Sequence, residues 1–132
     1  MNVIVDTSVW SLALRRKSHL PTPPVQELTR LIQGEEPIFL IGVILQELLQ
    51  GIRSQKHFSR LLGYLTAFPL IEPRRKDYIE AARLRNQCGK KGIQAGTIGF
   101  LIATISIQYH CYLLTTDKDF GLIAKQSTLK LL

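Results

Sequence analysis

Met1-Asn2-Val3-Ile4-Val5-Asp6-Thr7-Ser8 decides the fold. Asn2 to Val5 is a short β-branched apolar run, the composition of a strand buried on both faces rather than an alternating edge strand. It stops on a carboxylate followed by two hydroxyls. Thr7 or Ser8 can cap the helix that Val9-Trp10-Ser11-Leu12-Ala13-Leu14 predicts. A strand that ends on Asp and hands over to a capped helix puts that Asp at the carboxyl edge of a sheet, where open α/β folds bind ligands. On this motif alone, however, Asp6 as a helix cap is the better reading.

The rest of the chain repeats the alternation. A basic connection, Arg15-Arg16-Lys17-Ser18-His19, leads to Pro21-Thr22-Pro23-Pro24, where Thr22 can cap a helix over Val25 to Gln33 that Gly34 ends. Pro37 to Ile41 is a second buried strand. It turns straight into a short helix from Gly42 to Gln50, with Gly51 as its C-cap. Ser54 starts a helix carrying His57, Phe58, Leu61, Leu62 and Leu65 on one face. Phe68 to Glu72 is a third strand, and Lys76 to Gln87 is a helix with a basic outer face. Gly89-Lys90-Lys91-Gly92 is a flexible basic loop, and Ile98 to Tyr109 an apolar, buried helix. Tyr112 to Thr116 is a fourth strand; a short helix near Gly121 to Lys125 and a strand at Thr128 to Leu131 close the chain. Strands alternating with helices predict a mostly parallel sheet of about five strands covered on both faces. The expected architecture is a three-layer α/β/α sandwich, one domain over residues 1–132, without repeats or linkers.

Length and composition agree with a single soluble domain. At 132 residues the chain is long enough for a real core, and 45% hydrophobic with 20% charged residues is ordinary for a globular protein. No apolar run is long enough to cross a bilayer, and the N-terminus shows no basic segment followed by an apolar one. These features predict a cytoplasmic protein with no membrane partner. Cys88 and Cys111 lack a C-x-x-C pattern and are expected as reduced, buried thiols. Seventeen Lys and Arg against ten Asp and Glu give a net charge of +7, which favours a polyanionic partner.

With only ten carboxylates, each can be sorted. Glu27, Glu35, Glu36, Glu72, Asp77 and Glu80 fall on outer helix faces, in turns or at a strand end, and are expected as solvated charge. Asp6 and Asp117 each follow a buried strand, and Glu47 lies just beyond the second strand inside an apolar run. Parallel strands bring their carboxyl ends to one edge, so Asp6, Glu47 and Asp117 should converge there, with Asp119 close by. Carboxylates crowded at one edge repel one another unless something positive neutralises them. Oxygen-only ligands suit a hard dication, Mg²⁺ or Mn²⁺. Zinc is disfavoured, because His19, His57 and His110 show no ligand spacing. A carboxylate-held Mg²⁺ beside a basic surface is machinery for phosphodiester hydrolysis. No Gly-rich phosphate loop follows a strand, no Ser sits in a G-x-S-x-G elbow, and neither Cys has the context of a nucleophile. Gly96-Thr97-Ile98-Gly99 is better read as a turn into a helix than as a phosphate nest.

Taken together, these residues resemble the PIN-domain ribonucleases, most closely the VapC-like toxins of toxin–antitoxin pairs. The marks are Val3-Ile4-Val5-Asp6-Thr7-Ser8-Val9-Trp10, Gln46-Glu47-Leu48-Leu49-Gln50-Gly51, Leu101-Ile102-Ala103 and Leu114-Thr115-Thr116-Asp117-Lys118-Asp119-Phe120. The resemblance implies Mg²⁺- or Mn²⁺-dependent endonucleolytic cleavage of RNA, such as tRNA or rRNA. It places the first acid on Asp6, the second on Glu47 and the fourth on Asp117, with Asp119 as a supporting acid and Thr115 as the hydroxyl beside the last acid. It also implies a homodimer neutralised by a VapB-like antitoxin whose tail crosses the active site.

One position departs from the pattern. The third acid is expected just before Leu101-Ile102-Ala103, and Gly99 stands there. A glycine in the first helical turn costs roughly 1 kcal/mol against alanine, so local stability does not explain it. The resemblance then implies weakened metal binding and reduced or lost cleavage; the alternative is a non-catalytic PIN-like module that binds RNA or protein. Candidate RNA contacts are Arg15, Arg16, Lys17, Arg53, Lys56, Lys90, Lys91 and Lys118. The expected antitoxin dock is a groove lined by Val9, Trp10 and Leu12 or by Leu28 and Ile32, side chains that core packing would explain as well.

Overall fold

A computed structural model describes residues 1–14 and 22–132. The chain runs β1 (Val3–Val5), α1 (Thr7–Ala13), α2 (Pro23–Gln33), β2 (Ile38–Ile41), α3 (Gly42–Leu49), α4 (Gln55–Leu65), β3 (Leu70–Ile71), α5 (Arg75–Gly89), α6 (Thr97–Gln108), β4 (Tyr112–Leu114), α7 (Asp119–Lys125) and β5 (Lys130–Leu131). All strands pair in parallel, in the order β3-β2-β1-β4-β5. Val3 lies opposite Ile38 on one side and Tyr112 on the other, so β1 is the central strand. Helices α1 to α4 pack among themselves, as do α5 to α7, and the two groups form the layers flanking the sheet.

The opening stretch behaves as its composition dictates. Val3, Ile4 and Val5 are fully buried, and burying such side chains contributes about 1.5–3 kcal/mol each relative to exposure. That burial fixes the register of β1 and delivers the next residue, Asp6, to the carboxyl rim. The backbone N–H of Asp6 still donates to the Leu114 carbonyl at 2.9 Å, which ties the rim of β1 to that of β4. From β1 the chain adds β2 and β3 on one side, then crosses back to add β4 and β5 on the other. The β1/β4 boundary is therefore the place where the winding reverses and a crevice opens.

Helix ends follow the local chemistry in part. Ser54 accepts a hydrogen bond from the His57 N–H, as its position predicts, and Gly51 takes φ +83° just beyond α3, a conformation that glycine adopts without strain. Thr22 occupies the N-cap of α2 ahead of Pro23, yet its hydroxyl makes no capping bond. At α1 the N-cap is Asp6 rather than Thr7 or Ser8, again without a side-chain cap. The reason is tertiary: all three side chains are committed to partners elsewhere.

Three expectations are corrected. Asp77 is not a solvated charge but fully buried. Its Oδ2 accepts from the Arg74 N–H at 2.8 Å and from the Tyr109 hydroxyl at 3.1 Å, pinning the start of α5 to the residue just after α6. Desolvation, and then the hydrogen bond to Asp77, push the Tyr109 hydroxyl above its ordinary value. Val9, Trp10 and Leu28 form no open groove; they lie in the core, with Trp10 edge-on to Phe68 at 5.2 Å. The apolar face of α4 is only partly covered: Leu65 is buried and Leu61 half-buried, while Phe58 and Leu62 are exposed. The open groove lies instead between α1, α3 and α4, with Leu14, Leu48, Ile52, Leu61 and Tyr64 on its walls.

Cys88 and Cys111 are free and buried, as expected. Among the described residues, no helix is long and apolar enough to cross a membrane.

Candidate active site

At the β1/β4 crevice lies a cavity of about 280 Å³. Asp6, Glu47, Asp117 and Asp119 line it together with Gly99, and no Lys, Arg or His among the described residues does. Each carboxylate arrives from a different place in the fold. Asp6 follows β1, Glu47 sits on the second turn of α3, Asp117 lies in the loop after β4, and Asp119 opens α7. Asp6 is 7% exposed, Glu47 and Asp119 are half-buried, and Asp117 is open to solvent.

Hydroxyls hold these acids in place. Ser8 Oγ donates to Asp6 Oδ2 at 2.8 Å, and Thr115 Oγ1 donates to the same oxygen at 2.9 Å. Thr115 Oγ1 in turn accepts from the Asp117 N–H at 3.0 Å, and Ser8 Oγ from the Thr116 N–H at 3.1 Å. The Asp119 N–H donates to Asp117 Oδ1 at 2.9 Å. Across the crevice, Thr7 Oγ1 donates to Glu47 Oε1 at 2.9 Å. Among the described residues, Asp6 Oδ1 receives no hydrogen bond. A nearly buried carboxylate is thus oriented by two hydroxyls on one oxygen, and no Lys, Arg or His among the described residues lines its cavity.

Gly99 is the third residue of α6 and lines the same cavity. A Cβ built there would meet the Ala95 Cβ and the Phe120 Cζ at 3.9 Å each, which is ordinary contact. The position has room for a side chain, so steric exclusion does not explain the glycine.

The donor set suits a hard dication in kind, being oxygen throughout. In arrangement it is sparse: among the described residues, no group of three or more His, Cys, Asp and Glu is placed to hold an ion. Glu47 is engaged by Thr7, Asp117 by its own loop, and position 99 supplies no carboxylate. Mg²⁺ is commonly held by one or two carboxylates with water completing its shell.

A family model described as PIN domain matches residues 3–126. The chain belongs to the PIN domain family. The fold of this PIN domain is similar to VapBC2 from Rickettsia felis bound to a promoter DNA fragment (21% identity, TM-score 0.79, covering 100% of this chain and 98% of that one). It is also similar to FitAcB from Neisseria gonorrhoeae (20% identity, TM-score 0.77, 98% and 96% covered). A third match is VapC20 from Mycobacterium tuberculosis, described as a sarcin-ricin loop cleaving toxin (13% identity, TM-score 0.66, 90% and 92% covered). No curated protein matches the chain.

Asp6, Glu47, Asp117, Asp119, Thr115 and Gly99 all stand at the rim of the PIN domain. Lys118 adjoins the acids in sequence but does not line the cavity, while Lys90 and Lys91 are exposed at the end of α5. Arg15, Arg16 and Lys17 lie outside the described residues. Sequence reasoning missed the part of Thr7 and Ser8, which position Glu47 and Asp6 rather than cap α1. Their signal was present, two hydroxyls directly after the strand's terminal acid, but capping explained it equally well.

Proposed function

We propose that this PIN domain is an endoribonuclease toxin of a toxin–antitoxin pair, working with Mg²⁺ or Mn²⁺ and weakened by the glycine at position 99. The observation that carries the reading is the cavity itself: four carboxylates from three segments far apart in sequence share it, and no basic side chain among the described residues lines it. Such a set is unfavourable without a cation. RNA as substrate, a homodimer and a VapB-like antitoxin come from the family resemblance. The match to a toxin described as cleaving the sarcin-ricin loop supports the substrate, and the matches to VapBC2 and FitAcB support the antitoxin.

A hard dication, when bound, activates a water and offsets charge developing on the phosphate and the leaving oxygen. The chain's own contribution is to orient oxygens. Ser8 and Thr115 fix Asp6 through Oδ2 and leave Oδ1 for the cation; Thr7 holds Glu47 at the opposite wall. Asp117, the most exposed acid, meets arriving substrate first. The chain carries a net charge of +7 even with the four acids of the cavity counted, which attracts the phosphate backbone of an RNA. The groove between α1, α3 and α4 also has Glu47 on its wall. A partner segment seated there would reach the site, which is the place the reading gives to the antitoxin.

Gly99 favours a second reading, a PIN module that binds without cutting. One experiment separates them: RNA cleavage by the chain and by Gly99→Asp, with Mg²⁺, with Mn²⁺ and with chelator. The nuclease reading expects cation-dependent cleavage that rises sharply in Gly99→Asp. No gain in Gly99→Asp would count for the binding module.

A further inference from the structure

Beside the acid cavity lies a second hollow of about 420 Å³. Its walls are Arg85, Gly89, Ile93, Gln94, Ala95 and Phe100. Ala95 lines both hollows, so they adjoin at that residue. The shape follows from α5. Ala81, Leu84 and Cys88 form its buried stripe, and Arg85 and Gly89, one turn apart, lie along the edge of that stripe. Gly89 has no side chain to fill the space, and a Cβ there would touch nothing within 4 Å. Ile93 and Phe100, both buried, supply an apolar floor. Arg85 is exposed and, among the described residues, makes no ion pair or hydrogen bond, although the neighbouring cavity is lined by acids.

We propose that this hollow seats one unpaired nucleotide next to the bond to be cut, its phosphate on the Arg85 guanidinium and its base over Ile93 and Phe100. The proposal rests on the ribonuclease reading above. The acid cavity and its dication account for one phosphate, while the next along the strand needs a cation supplied by the protein. Arg85, on the wall of the second hollow, makes no ion pair or hydrogen bond among the described residues, and its planar fork suits phosphate oxygens. Proteins that hold single strands combine such backbone contacts with apolar or aromatic seats for splayed bases. The Gln94 amide at the rim offers both donor and acceptor to a base edge. The volume lies in the usual range for small-ligand sites. Arg85 thereby positions the strand, and Gln94 becomes a determinant of which nucleotide flanks the cut.

The test is binding of a fluorescently labelled single-stranded RNA, by anisotropy in Mg²⁺ across a salt series, with RNA integrity followed on gels. Arg85→Ala should weaken binding about tenfold. It should also make the slope of log affinity against log salt shallower by about 0.7, the signature of one lost phosphate contact on a single strand. Gly89→Leu keeps every charge but fills the hollow, and should weaken binding several-fold. Lys76→Ala, an exposed cation at the far end of α5, should change little. Native-like binding by both Arg85→Ala and Gly89→Leu would overturn the proposal while leaving the ribonuclease reading intact. Loss in Arg85→Ala alone would also overturn it, reducing Arg85 to general attraction. A native chain that binds no RNA at any salt would remove the ribonuclease reading, and this inference with it.

Discussion

Asp6→Asn should make the protein more stable in the absence of a cation. Asp6 is 7% exposed and shares its cavity with Glu47, Asp117 and Asp119, with no basic side chain among the described residues on the walls. Two like charges about 7 Å apart repel by about 2 kcal/mol at an effective dielectric of 20, and by about 0.6 kcal/mol in bulk water. Asp117 is exposed, so its share lies near the lower figure, whereas Glu47 and Asp119 are half-buried and fall between. Asparagine is nearly isosteric, and its carbonyl oxygen can accept the Ser8 and Thr115 hydroxyls as Oδ2 does now. Removing the charge while keeping both bonds should therefore stabilise the chelated protein by about 1–3 kcal/mol. For a domain of this size that raises Tm by roughly 3–10 °C. The assay is thermal unfolding at low ionic strength in chelator, then with Mn²⁺ added. The native chain should gain stability with Mn²⁺ through linkage, and Asp6→Asn should gain little. If Asp6→Asn unfolds at lower temperature in chelator, its carboxylate is structural, through the Ser8 and Thr115 hydroxyls, and like-charge repulsion does not dominate at the site.

Thr7→Val should release Glu47 and cost about 0.5–1.5 kcal/mol of stability, read as a lower urea midpoint at unchanged m. In a cleaving Gly99→Asp background, the same substitution should reduce turnover. Tyr109→Phe should destabilise the protein at neutral pH, because the buried Asp77 keeps only the Arg74 N–H as a partner for Oδ2. The Tyr109 hydroxyl is raised above its ordinary value of 10. The unfolded chain therefore loses that proton first, and stability present below pH 10 is lost as pH climbs through the folded value. Native Tm should accordingly fall more steeply above pH 10 than that of Tyr109→Phe. Burial pushes the Cys88 and Cys111 thiols up, so both should resist a thiol reagent in the folded protein and react once it is unfolded.

The fold was legible because its strands are buried runs with hard stops. Val3-Ile4-Val5 and Ile38 to Ile41 read correctly from composition, and the apolar Thr97–Gln108 helix from its all-round hydrophobicity. Convergence of Asp6, Glu47 and Asp117 followed from parallel topology, since residues at strand ends share an edge. What escaped is what depends on partners distant in sequence. Asp77 sits among charged neighbours at the start of α5, and one of the two partners of its buried carboxylate, Tyr109, lies 32 residues on. Thr7 reaches Glu47 across 40 positions, so no local pattern separates that role from a cap. The groove misplaced onto Val9, Trp10 and Leu28 failed for the opposite reason: apolar spacing reports a face, not whether another element covers it.

Titration of the native chain with Mn²⁺, followed by electron paramagnetic resonance, tests the central claim most directly. One Mn²⁺ per chain is expected, bound weakly because position 99 carries no carboxylate, and lost in both Asp6→Asn and Asp117→Asn. Binding that survives both substitutions, or no binding at any concentration, would mean that Asp6 and Asp117 do not hold a cation at the rim.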